Sequence, residues 1–125
     1  MRLLVGYRYG ILGGVCTQLE SRMRHLSGVP DLAVEFAFRE LHGAETMLAR
    51  HGDVSRLEPE GFREAARRAD LIAVIDTAEY LDAVHDLEVP VLLEVHTTTD
   101  RGLAYLEGRS ALGDRVLVPS EASAR

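Results

Sequence analysis

The sequence predicts an α/β fold: one open, parallel sheet of about six strands with helices on both faces. Three observations carry this. Short apolar runs alternate with segments of helical period along the chain. Several of the runs are apolar at consecutive positions, the pattern of strands covered on both faces, where a half-exposed strand would alternate with polar residues. The 125 residues, 46% of them apolar, suit one domain with a real core.

The predicted strands are RLLVGY (2–7), DLAVEFAF (31–38), LIAVID (71–76), VPVLLEVH (89–96) and RVLVP (115–119), with a weaker one at DVSRLE (53–58). Between the first two, VCTQLESRMRHLSG places Val15, Leu19, Met23 and Leu26 at helical spacing and closes on Ser27-Gly28 as its cap. GAETMLARHG (43–52) and PEGFREAARRAD (59–70) read as helices, the second with Pro59 at its start and Arg67 and Arg68 near its end, complementing the helix dipole. TAEYLDAVHDL and TDRGLAYLEGRSAL supply two more. Right-handed crossovers then wind the sheet. At the end, SEASAR starts a helix that the sequence abandons, which reads as a cut inside a longer protein.

Composition narrows the function classes. Fourteen basic against twenty acidic residues give a net charge of −6, and all the basic residues are Arg. That balance argues against non-specific nucleic-acid binding, which needs a positive field. The single Cys16 supports neither an internal disulfide nor a cysteine zinc cage. The histidines at 25, 42, 51 and 85 lack metal-ligand spacing, so no metal is expected. No window approaches the roughly 20 apolar residues of a membrane span. MRLLVGY lacks the apolar core and cleavage site of a secretory signal, so the expected location is the cytoplasm.

The stretch YRYGILGGVCTQL interrupts an apolar run with Gly10, Gly13 and Gly14 and then opens a helix. It lies at the carboxyl end of the first strand, where open α/β sheets bind ligands. Gly13 and Gly14 allow positive φ and backbone N–H approach to an anion, beside the positive end of a helix dipole. The spacing is neither the dinucleotide fingerprint nor a Walker loop. A phosphate cradle and a merely tight turn both remain open on spacing alone.

GGV after the first strand, ADLIAVIDTAEYL at the fourth, VPVLLEVHTTT at the fifth and DRVLVPSEASAR at the sixth come in one order. Together they resemble the N-terminal half of retaining glycosyltransferases of the GT-B fold, a large family of nucleotide-sugar-dependent enzymes. The resemblance spans nearly the whole chain and implies one Rossmann-like domain over residues 1–125. A C-terminal donor-binding domain would lie outside this sequence. It also implies that Gly13 and Gly14 lie near the donor diphosphate and that His96 faces the transferred sugar. Ser120 and Glu121 match the PSE that follows the sixth strand. Apart from the resemblance, the hydroxyls of Thr97 and Thr98 in HTTTD offer contacts to an acceptor, although a run of capping residues before a helix explains them as well. No cofactor beyond the nucleotide-sugar donor is implied. The partners would be donor, acceptor and second domain, with the isolated chain inactive and prone to pair with a copy of itself.

Other readings compete at several residues. Glu94 leaves a regular strand on the same face as His96 and would favour its imidazolium, or else pairs with an Arg or simply faces water near the sheet edge. Asp76 or Thr77 is expected to cap the helix that follows. Arg63, Arg67 and Arg68 match an acidic lipid headgroup, as basic helices of some similar enzymes do, but Glu60 and Glu64 among them favour a solvated face. The alternative for the whole chain is a standalone α/β ligand-binding or regulatory module without catalysis. No acidic pair follows the first strand, no lysine is present, and the first loop lacks the Ser and Thr of a flavodoxin-type phosphate loop.

Overall fold

The computed structural model describes residues 1–94 and the backbone of 115–117. Strands and helices alternate: β1 Arg2–Ile11, α1 Gly14–Leu26, β2 Ala33–His42, α2 Ala44–Leu48, β3 Gly52–Arg56, α3 Pro59–Ala66, β4 Leu71–Ile75, α4 Ala78–Val84, β5 Val91–Glu94 and β6 Arg115–Leu117. The six strands form one sheet in the order β3-β2-β1-β4-β5-β6, and every pairing between neighbours is parallel. This is the Rossmann-like fold that the apolar runs predict.

The runs are apolar at consecutive positions because successive side chains enter different cores. Along β1, Leu4 joins Phe62, Ala65 and Ala66 of α3 and Tyr80, Leu81 and Val84 of α4. Val5 joins Cys16, Leu19 and Met23 of α1 and Ala44 and Leu48 of α2. Phe36 and Ala37 of β2 divide the same way, as do Ala73 and Val74 of β4. Helices α1 and α2 therefore cover one face, and α3 and α4 the other.

Several boundaries differ from the sequence reading. The first strand does not stop before the glycines: β1 runs to Ile11 and keeps its register with β2 through Ile11↔His42. Gly10 is an interior strand position, where a Cβ would lie 2.9 Å from Leu41 Cδ2. The helix expected over 43–52 is the short Ala44–Leu48, after which His51 N–H bonds the Leu48 carbonyl in a turn. Gly28 is not a left-handed cap. Ser27 ends α1 in right-handed geometry, its N–H bonding Arg24 O at 3.3 Å. The helix expected over TDRGLAYLEGRSAL lies outside the described residues.

Candidate functional site

Strand order locates the site. Where β1 stands between β2 and β4, the chain reverses its direction of travel across the sheet, and the loops after β1 and β4 leave on opposite faces. Ligands of open α/β sheets bind in the crevice at such a switch point, outside the carboxyl ends of the strands.

On the β1 side, the turn into α1 consists of glycines in conformations that other residues rarely adopt. Gly13 has φ 108° and ψ 175°, and Gly14 has φ 49°. Among the described residues, a Cβ built on either meets nothing within 4 Å. Crowding by the described residues is therefore not what excludes side chains here. Positive φ favours glycine, and no described residue stands over the backbone. Helix α1 begins without a side-chain cap and without an acidic residue in its first turn. Its N-terminal amide groups and the positive end of its dipole are thus not offset by a local carboxylate.

On the β4 side, Asp76 takes φ 47°, a left-handed conformation tolerated by Asp because of its short polar side chain. Its N–H donates to the Glu94 carbonyl at 3.0 Å, which ties the ends of β4 and β5 together. Burial, and then the charge of Asp76, pushes the Tyr7 phenol above its ordinary value, so the middle of β1 and the end of β4 share one electrostatic environment. Thr77 holds the N-cap position of α4, but not in the way the sequence suggests. It is fully buried, and its hydroxyl donates back to the Ile75 carbonyl at 2.7 Å, so no side chain caps the helix.

At the end of β5, Glu94 is only 3% exposed and is gripped by both terminal nitrogens of Arg22 from α1, at 2.5 and 2.9 Å. Glu94 thus pairs with an arginine, one of the readings the sequence offers, while its relation to His96 lies outside the described residues. The clamp also has a geometric consequence. The segment that leads to His96 is fastened to the helix that Gly13 and Gly14 begin. His96, Thr97, Thr98, Ser120 and Glu121 themselves lie outside the described residues.

A second charged group lies along the carboxyl ends of β1, β2 and β3. Arg8 bonds Glu79 at 2.8 Å, Arg39 reaches Glu79 at 3.4 Å and Glu58 at 3.0 Å, and Arg56 bonds Glu58 at 2.8 Å. Nothing in the sequence brings Arg8 and Glu79 together, since 71 positions separate them. Arg63 is held by Asp86 and by the Ala83 carbonyl. Among the described residues, no three His, Cys, Asp or Glu side chains come together as metal ligands, and no helix is long and apolar enough to cross a membrane.

No known protein family and no curated protein sequence matches the chain. Among solved structures, the chain is similar to apo saccharopine dehydrogenase (L-Glu forming) from Saccharomyces cerevisiae. The TM-score is 0.55 at 13% identity, over 94% of this chain and 26% of that one. The chain thus spans about a quarter of the neighbour's length. At this identity the likeness is one of fold.

Proposed function

We propose that this chain is the acceptor-side, Rossmann-like half of a cytoplasmic, nucleotide-sugar-dependent retaining glycosyltransferase of the GT-B type. The observation that carries the reading is the glycine turn at the switch point: at positive φ, uncapped and clear of every described residue, on the helix to which the end of β5 is clamped. The ordered motifs GGV, VLLEVHTTT and VPSEASAR give that turn its assignment to a sugar donor.

In this reading an acceptor hydroxyl attacks the anomeric carbon while the bond to the diphosphate breaks, and the hydroxyl's proton passes to the departing diphosphate. The turn's amides stabilise part of the charge on the departing diphosphate. His96 hydrogen-bonds the transferred sugar, with Thr97 and Thr98 beside it and Ser120 and Glu121 after the next strand. A second domain closes the cleft and supplies the rest of the donor pocket. A cleft with one wall neither excludes water nor positions a donor, so the chain alone is expected to be inactive.

The test is a transfer assay with UDP-glucose and GDP-mannose on the longest protein that carries this sequence. Turnover is expected, and His96→Ala should lower it by about 10²-fold while the melting temperature is unchanged. Unchanged turnover in that variant would remove His96 from the site. Full activity of residues 1–125 alone would overturn the two-domain reading.

A further inference from the structure

Past Tyr7, where its register with β4 ends, β1 continues from Arg8 to Ile11 beside β2. In this ribbon Tyr9 pairs with Glu40 and Ile11 with His42, so the four side chains share one face, and all four are exposed. The intervening Gly10 is buried toward the core, where a Cβ would lie 3.1 Å from Phe38 Cγ. Only one face of the ribbon is therefore open. Leu12 continues it toward Gly43, whose own backbone bridges back to Ile11. The face thus borders the Gly13–Gly14 turn.

Its chemistry is mixed. Of the five large hydrophobic residues exposed among the described residues, Tyr9, Ile11 and Leu12 fall within one four-residue stretch, which makes a patch of them rather than scatter. In their midst stands the Glu40 carboxylate, oriented by His42 Nε2 at 3.2 Å from Oε1. Arg8 lies 5.9 Å from the centre of the Tyr9 ring and is bonded to Glu79. The ring is therefore flanked by a charge that is itself anchored.

We propose that this ribbon face is a sugar-ring subsite, which names a glycoside as the acceptor class; the inference rests on the glycosyltransferase reading. The apolar C–H face of a pyranose lies on the Tyr9 ring, neighbouring hydroxyls donate to the two Glu40 oxygens, and Ile11 and Leu12 cover the remaining apolar edge. A purely apolar partner would desolvate Glu40 without compensation. A phosphate would meet a like charge. A polyol with one apolar face satisfies both halves of the surface.

The test is amide-resolved NMR of the 125-residue chain titrated with methyl α-glucopyranoside and methyl α-mannopyranoside, and separately with inorganic pyrophosphate. Saturable shifts are expected for at least one glycoside at residues 9–12 and 40–43, with Tyr9→Ala and Glu40→Gln each weakening binding by about fivefold or more. Both positions are exposed, so the variants should keep the wild-type melting temperature. No saturable shift with either glycoside, or a shift indifferent to Tyr9→Ala, overturns the subsite. If pyrophosphate moves Gly13 and Gly14 while neither glycoside moves the ribbon, the subsite falls and the nucleotide-sugar reading stands. The reverse result keeps the subsite and removes the diphosphate turn.

Discussion

Gly6→Val is expected to cost about 3 kcal/mol or more of folding stability, at the upper end of overpacking effects. A Cβ at Gly6 would lie 2.5 Å from Phe62 Cε1 and 2.8 Å from Tyr80 Cδ2. Those rings cannot retreat easily. They stack at 4.0 Å between centroids and 9° between planes, both are fully buried, and the Tyr80 hydroxyl is fixed to the Leu57 carbonyl at 2.6 Å. Burial accordingly pushes the Tyr80 phenol well above its ordinary value. The stack joins α3, α4 and the centre of β1, so the damage should spread across one whole face of the sheet. Urea unfolding checks it. Phe62→Ala alone should cost about 3–5 kcal/mol. Gly6→Val combined with Phe62→Leu should cost less than the sum of the two single changes, because the second change makes room for the first. Additive losses would show that Gly6 is not constrained by that stack.

Arg22→Ala should destabilise the chain by about 1–3 kcal/mol, less than the loss of a fully buried ion pair, because Arg22 itself is 43% exposed. The effect falls mainly on Glu94, which loses its arginine in a site that water barely reaches. Glu94→Gln should cost less than Arg22→Ala, since the surviving partner is then an arginine able to turn to solvent. The pair Arg22→Leu with Glu94→Leu should recover much of the loss. A second consequence is positional: without the clamp, the chain that leads to His96 is no longer fastened to α1. Thermal unfolding of the three variants orders these costs. An Arg22→Ala melting temperature equal to wild type would mean that the clamp adds nothing.

The sheet was legible in the sequence because burial on both faces leaves a periodicity that needs no knowledge of partners. Leu4-Val5 and Phe36-Ala37 each serve two cores, and a residue pattern alone reveals that. The extension of β1 was not legible. In YRYGI the glycine resembles a break, and only the packing of Phe38 and Leu41 against position 10 explains why a side chain is excluded inside a strand. The ribbon with Tyr9 and Glu40 was hidden for the same reason. The glycine turn could be located from its place between strand and helix, but its openness could not, since crowding and approach both select glycine. Arg22 and Arg8 carry no local signal, as each finds its carboxylate more than 70 positions away. Thr77 kept its position but not its bond, because its buried hydroxyl found a nearer acceptor in Ile75.

The central claim is that Gly13 and Gly14 exist to bring backbone amides to a diphosphate. Titration of the 125-residue chain with UDP, read at individual amides, tests it most directly. Saturable shifts at Gly13, Gly14 and Val15 are expected in the millimolar range, ~4 kcal/mol of binding, as suits one wall of a cleft. Gly14→Val should abolish them, since its side chain would fill the space that the described residues leave above the turn, and should cost only about 1–2 kcal/mol of stability from the left-handed φ. Shifts confined to other parts of the sheet edge, or a Gly14→Val chain that binds UDP as well as wild type, would contradict the claim and reduce these glycines to a turn.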